Sequence, residues 1–340
     1  MSFPNANLST PSTLAAFRED GRVVSERWWE NTQALLSGCY LVEGLAMVAG
    51  NLPIALSVFV HQAMRMDKIY LVIAFLSLAD ALDGSCYVMA GAYRAPLAIA
   101  HQNLGKVTSW YCMLVPHNWM WYFADTSAAL MLLVVSVDRT ICVLQPLRYL
   151  ALSMRYSYLV CGAAYACGVL MNIMAFVTGW MGKDDGAIYP KMCYLSSAGL
   201  LTIQVRNALR MTSSLLSVGL YVLLMAAATL HGGGAQSTRT VAAVNDLNRR
   251  DELERQRAFT VSLGISCLFT LLLNTAPVVV VFVVNWLRLE ANALKMVLWL
   301  LVNLNPTCNA FIYLTRHREM RVGVLALLKC KRLPPNLALW

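Results

Sequence analysis

The chain has 340 residues; 58% are Ala, Val, Ile, Leu, Met, Phe, Trp, Tyr or Cys, and only 13% are charged. Soluble domains sit at about 45–50% apolar with Gly included and about 25% charged, so an ordinary water-soluble core is excluded and lipid is the expected solvent. The net charge of +9 does not point to nucleic acid, because Lys and Arg fall between apolar segments rather than in one patch.

A hydrocarbon core about 30 Å thick takes about 20 mostly apolar helical residues. Seven such segments follow one another, at roughly 34–60, 69–93, 110–140, 157–180, 207–230, 258–286 and 292–314. They are longer than the roughly ten-residue alternating strands of a membrane barrel, and helices satisfy their own backbone groups in lipid. The expected fold class is therefore all-α, a seven-transmembrane helix bundle. Residues 1–33 are polar and lack the apolar core of a signal peptide, so the first segment is expected to serve as its own insertion signal. There is no internal repeat, and Gly232-Gly233-Gly234 ends the fifth segment. Beyond the seventh, Arg316 to Lys329 reads as a short amphipathic helix. Met320, Val324 and Leu328 lie on one side and His317, Arg318 and Arg321 on others, as in a helix resting on a leaflet.

The side that holds Arg65, Arg148, Arg155, the 239–257 cluster and the C-terminal segment carries sixteen Lys and Arg against ten on the other. That excess marks it as cytoplasmic. The expected layout is an extracellular N-terminal segment (1–33), a seven-transmembrane domain (34–314) and a cytoplasmic amphipathic helix with tail (315–340). Asn7-Leu8-Ser9 then lies outside, where Asn7 can be glycosylated. Most of the ten Cys fall inside apolar helices, as small buried side chains do. Cys112 and Cys193 instead fall at the outer face, in an oxidising compartment. They are either two free thiols or a bridge closing a loop of about 80 residues, which would contribute roughly 4 kcal/mol. Cys330, between Lys329 and Lys331, is a palmitoylation candidate or an unmodified cytoplasmic thiol.

The richest stretch is Asp138-Arg139-Thr140-Ile141-Cys142-Val143-Leu144-Gln145-Pro146-Leu147-Arg148-Tyr149, which closes the third segment. An Asp–Arg pair at the membrane edge can hold one state and, once opened, offer the Arg to a partner; the alternative is a snorkelling Arg with a neighbouring Asp. Gly50-Asn51, Leu76-Ser77-Leu78-Ala79-Asp80 and Asn305-Pro306-Thr307-Cys308-Asn309-Ala310-Phe311-Ile312-Tyr313 complete the pattern. Together these resemble the motifs of rhodopsin-like G-protein-coupled receptors over roughly 34–330. Several positions depart from that pattern. Thr140 replaces a Tyr, and Ala310 replaces a Pro whose kink would move one turn, to Pro306. The fourth segment lacks its Trp and the fifth its Pro, while Asn274-Thr275-Ala276-Pro277 stands where an aromatic usually precedes the proline. Such departures are comparable to those of invertebrate chemosensory receptors.

Four charges lie inside the segments away from the Asp138-Arg139 motif: Glu43, Asp80, Asp83 and Asp125. A charge in the membrane costs several kcal/mol and calls for a role. The resemblance implies a polar network of Asn51, Asp80, Asp83, Asn274, Asn305 and Asn309, which in the family holds a sodium ion. Ala128 replaces the hydroxyl residue that helps ligate that ion, so a purely hydrogen-bonded network is an equal alternative and no metal is firmly assigned. A ligand pocket is expected around His117, Asn118, Trp121, Asp125 and Thr275. There Asp125 would meet a cationic ligand group, or pair with a neighbouring Asn or Thr. Glu43 is expected at the seam of the first segment with the second or seventh. The resemblance further implies a switch built of Asp138, Arg139, Tyr221, Pro277 and Tyr313, with a heterotrimeric G protein, an extracellular ligand and membrane lipid as partners. Asn303 stands where retinal pigments carry a Lys and Trp121 where amine receptors carry an Asp, so neither class is favoured. No phosphate loop, His-x-x-x-His pair, Cys-x-x-Cys motif or nucleophile elbow is present, and neither enzymatic activity nor a cofactor is expected. The rival readings are a transporter or channel, which the single set of seven spans without a repeat opposes, and a receptor-like scaffold that does not signal.

Overall fold

The structure, a computed structural model, describes residues 21–100, 105–183, 188–194, 198–232, 265, 268–287 and 292–331. Asn7 and most of the loop between the fifth and sixth spans lie outside the described residues. The spans are Gly21–Val60, Lys68–Ile99, Pro116–Leu144, Met154–Met181, Leu200–Gly232, a sixth described from Thr270 to Trp286, and Asn292–Arg316. Six have helices long and apolar enough to cross a membrane, and the sixth contributes the shorter apolar stretch Thr270–Val284. A surface helix, Arg318–Leu328, follows the seventh. Large apolar side chains such as Leu159, Leu170 and Leu223 point outward, as a lipid solvent allows.

The spans are not equally enclosed. In the second, 78% of the most apolar window is buried, against 28% in the fourth, so the second is central and the fourth peripheral. The second packs on the first through two glycines. A methyl group on Gly44 would lie 2.6 Å from the Gly84 carbonyl oxygen and 2.7 Å from the Val88 nitrogen. With no Cβ on that face, the two backbones come close enough for dispersion and weak Cα–H contacts to hold helices that gain little from the hydrophobic effect in lipid. The third span packs against the second, fourth and fifth. At the end of the bundle that carries the Asp138-Arg139 motif, Leu76, Met131, Val135, Tyr221 and Tyr313 form one apolar cluster; Met47, Tyr87 and Trp121 form another toward the disulfide end.

Several boundaries differ from expectation for local reasons. The segment expected as one helix over 110–140 is two, Ser109–Leu114 and Pro116–Leu144. Pro116 forces Val115 out of the helical region, to φ −74° and ψ 123°, and itself sits well in the first turn. The second span runs on to Ile99 and the fifth begins at Leu200, so Arg94 and Arg206, expected in loops, are helical and buried at 3% and 6% exposure. In the surface helix, Met320 and Val324 turn inward as expected, but Leu328 is exposed. His317, expected on the polar side, is buried with its ring 6.4 Å from that of Tyr313.

The disulfide end is closed by a two-stranded antiparallel sheet, β1 (Lys106–Thr108) and β2 (Ile188–Pro190), and by a bridge between Cys112 and Cys193, whose Cα atoms are 5.1 Å apart. Arg94 fastens the loop from beneath. It donates to the carbonyls of Met192 (3.0 Å) and Cys193 (2.8 Å) and lies against the rings of Trp121 and Tyr194. Cys193 is held at φ 49°, a left-handed conformation that these bonds and the bridge sustain.

Gly44→Leu is expected to destabilise the bundle by about 3 kcal/mol, because the added atoms meet backbone rather than movable side chains. Gly38→Leu, where no described residue lies within 4 Å of the added Cβ, is expected to be neutral. Thermal unfolding of both variants in one detergent checks the contrast.

Candidate functional site

Asp125 lies on the third span, 5% exposed. The fifth span brings two guanidinium groups to it: Arg210 Nη1 at 2.5 Å and Arg206 Nε at 3.7 Å. Arg206 and Arg210 are four residues apart and so share one helical face. Arg210 Nη2 donates to Asn274 Oδ1 at 3.2 Å, Asn274 Nδ2 donates to Ser214 Oγ at 3.1 Å, and the Arg210 guanidinium lies 5.6 Å from the centre of the Trp299 ring. One buried cation thus ties the third, fifth, sixth and seventh spans together. Unpaired, these charges would be prohibitive at this depth.

The sixth span is shaped for this contact. Thr270–Thr275 is a wide π-turn directly ahead of Pro277. Pro277 has no N–H to give the preceding turn, and π-turns concentrate at functional sites. Asn274, at the end of that turn, is directed into the bundle with 5% exposure. Between the fifth, sixth and seventh spans lies a cavity of about 100 Å³, bordered by Asn207, Arg210, Pro277, Val281 and Trp299 among others.

The five residues expected to form a ligand pocket do not converge on one point. His117 bonds to the backbone of Cys193, and Asn118 Nδ2 donates to the Cys112 carbonyl at 3.1 Å, so both support the disulfide-closed roof. Trp121 packs against Tyr40 and Tyr87 and donates to Asp83. Thr275 is buried, with no hydrogen-bond partner for its hydroxyl among the described residues. Asp125, expected to meet a cationic ligand group, is already engaged by two arginines. The polar-network residues also divide. Asn51 donates to the Met47 carbonyl (3.0 Å) and, on the seventh span, the Pro306 carbonyl (3.3 Å). Thr270 Oγ1 donates to Asn305 Oδ1 at 3.2 Å, whereas Asn274 belongs to the Arg210 network. Asp80 and Asp83 are buried one turn apart, and Asn309 is buried on the seventh span. Glu43 Oε2 accepts from Asn303 Nδ2 at 2.9 Å, which places it at the seam of the first and seventh spans. No group of three or more metal-ligating side chains occurs among the described residues.

At the opposite end of the bundle, Asp138 and Arg139 form an ion pair, both buried. Tyr149, from the short helix Pro146–Ala151, completes a triangle: Arg139 Nη2 donates to its hydroxyl at 2.9 Å, and that hydroxyl donates to Asp138 Oδ2 at 3.3 Å. Burial holds the Tyr149 phenol above its ordinary range despite the pull of Arg139, so it stays protonated and able to donate. Lys68 anchors the helix by donating to the carbonyls of Tyr149 (2.6 Å) and Leu152 (2.7 Å). Thr140, where a Tyr is usual, turns back to the Ser136 carbonyl at 2.7 Å. Tyr221 and Tyr313 are buried in the adjoining apolar cluster, and Cys330 is exposed just past the surface helix.

Reading four intramembrane charges leaves out the one that matters most. Arg210 is the single Lys or Arg of the 27 that no inter-segment tally includes, and a count of the remainder would have exposed it. Arg94 and Arg206 carry no such signal, because their positions near helix ends read equally well as loop.

A family model of seven-transmembrane receptors of the rhodopsin family matches residues 50–313, from Gly50 of the first span to Tyr313 of the seventh. The chain belongs to this family: it is a G-protein-coupled-receptor-type, multi-pass protein of the plasma membrane. No curated protein matches it.

Asp125→Ala leaves two buried cations without their carboxylate and is expected to cost about 3–5 kcal/mol. Arg210→Ala leaves Asp125 beside Arg206 and is expected to cost less. Melting temperatures of the two variants, purified in the same detergent, test the order; equal costs would mean that Arg206 does not share the charge.

Proposed function

We propose that the protein is a signalling receptor. An extracellular ligand binds among the third, fifth, sixth and seventh spans and activates a heterotrimeric G protein at the opposite face. In this reading the N-terminus is extracellular and the C-terminus cytoplasmic. Withdrawing the buried Arg94 and Arg206 from one side and Arg139 from the other leaves eight basic residues outside and fifteen inside, which strengthens the asymmetry. Residues 1–33, 34–314 and 315–340 serve as outer segment, receptor domain and inner tail, with Cys330 a site for lipid attachment and Asn7 for a glycan.

The observation that carries the reading is the closed Asp138–Arg139–Tyr149 triangle, whose Asp138 lies on the same helix as Asp125, thirteen residues and about 20 Å along the axis from it. The third span thus joins a charged site at one end to a charge-held latch at the other. A ligand that prefers one arrangement of Asp125, Arg210, Thr275 and Trp121 shifts a two-state equilibrium. The sixth span pivots at the π-turn and Pro277, with Asn51, Asp80, Asp83, Asn274, Asn305 and Asn309 relaying the change past Tyr221 and Tyr313. Arg139, released from Asp138 and Tyr149, becomes a donor for the G protein.

Tyr149→Phe removes two hydrogen bonds from the closed latch, each contributing about 1 kcal/mol, and is expected to raise basal nucleotide exchange several-fold. Arg139→Ala is expected to abolish exchange. Exchange measured on a panel of G proteins, with membranes carrying each form, decides. Silence of both the parent and Tyr149→Phe at full surface expression would refute signalling through this face.

A further inference from the structure

The cavity between the fifth, sixth and seventh spans has a composition that selects a ligand. Its walls are apolar, with Val278, Val281 and Leu298 among them and Trp299 at one side. Among the described residues, the only polar side chains on it besides the Trp299 indole are those of Asn207 and Arg210, and no acidic residue borders it. Asp125 is not among the lining residues; Arg210 stands between it and the cavity. At about 100 Å³ the space takes a small molecule rather than a peptide.

Hydrogen-bond supply and demand point the same way. Two guanidinium groups carry five N–H donors each. Around them stand the single carboxylate of Asp125, the Asn207 oxygen at 3.1 Å from Arg206 and the Asn274 oxygen at 3.2 Å from Arg210. Arg206 Nε is buried without a hydrogen-bond partner among the described residues. Asp83, the other acid nearby, accepts from Trp121 and forms no ion pair with either arginine among the described residues. In a low-dielectric wall, a cation with donors to spare attracts an anion, repels an amine and leaves a neutral ligand without its strongest contact.

We infer that the ligand of this site is a small carboxylic acid with an apolar body, its carboxylate on Arg210 and its body in the cavity between the fifth, sixth and seventh spans. The inference rests on the reading of this region as the ligand site. It also supplies a trigger: a ligand carboxylate competes with Asp125 for Arg210 and so loosens the third span from the fifth. The sign is opposite to that of a pocket in which Asp125 awaits a cationic ligand.

The test uses the purified full chain in lipid nanodiscs and needs no G protein. Its unfolding temperature is measured with hexanoate, octanoate, phenylacetate and indole-3-acetate, each against the alcohol and the amine of the same skeleton. At least one carboxylate is expected to raise the midpoint by several degrees while its alcohol and amine do not. Asp125→Asn removes the internal competitor and is expected to tighten that carboxylate about tenfold, the equivalent of one charge-assisted hydrogen bond. Arg210→Gln is expected to abolish the effect. Should Arg210→Gln fail to fold, Val281→Trp, which fills the cavity and leaves the ion pair intact, is expected to abolish it as well. An amine that stabilises best, a carboxylate effect lost in Asp125→Asn, or no stabilisation by any of the four acids would overturn the inference. Carboxylate binding without nucleotide exchange would count against the signalling reading alone, and exchange without carboxylate binding against this one alone.

Discussion

Asp125 and Arg210 face each other where water cannot screen them, and the arrangement of four spans follows from that requirement. Separating two such charges in a low-dielectric interior costs far more than separating them at a protein surface, so the fifth span must present Arg210 to the third span and to no lipid. Once that rotation is set, Arg206 falls on the same face one turn away. Asn274 then accepts from one further donor of Arg210, and the Trp299 ring covers the guanidinium. Apolar packing in lipid is weakly directional; the ion pair supplies the direction.

The two ends of the bundle use charge differently. At the disulfide end, Arg94 is a structural clamp whose donors are satisfied by loop carbonyls and whose faces are covered by Trp121 and Tyr194. At the other end, Arg139 is held by Asp138 and by Tyr149, a residue of a separate short helix that Lys68 secures to the second span. The Asp138–Arg139 pair instead shares its hydrogen bonds with a side chain from a separate short helix, so its geometry depends on how that helix is docked.

Where this chain departs from its family's motifs, the surroundings compensate. Ala310, in place of a proline, lies so close to the first span that a methyl group on Gly50 would come within 3.1 Å of its Cβ. A small side chain there lets the first and seventh spans approach. Pro306, one turn earlier, offers its own carbonyl to Asn51 Nδ2 at 3.3 Å, a polar contact between the first and seventh spans. In the sixth span, a π-turn and Asn274 occupy the place where an aromatic usually precedes the proline, and the contact made there is polar, to Arg210 and Ser214, rather than aromatic.

The order of the spans, the surface helix and the Asp138-Arg139 motif were legible in the sequence, and Cys112 and Cys193 stood out as the two candidates for a bridge. Each is written locally, in a run of apolar residues, an amphipathic period or a fixed spacing. What the sequence could not express was rotation and depth. A helix that is apolar almost all round carries little sign of which face turns inward. Asp125 could be recognised as needing a partner without revealing that Arg210 and Arg206 supply it, and His117 and Asn118 could be placed near the ligand region without revealing that they brace the roof. Arg94 looked like a loop residue until the second span was seen to run past it to Ile99. The sequence by itself determined that seven helices cross the membrane and that their buried charges must be paired. The tertiary structure alone decided which charges meet, because that depends on how each helix turns about its axis to satisfy all its neighbours at once.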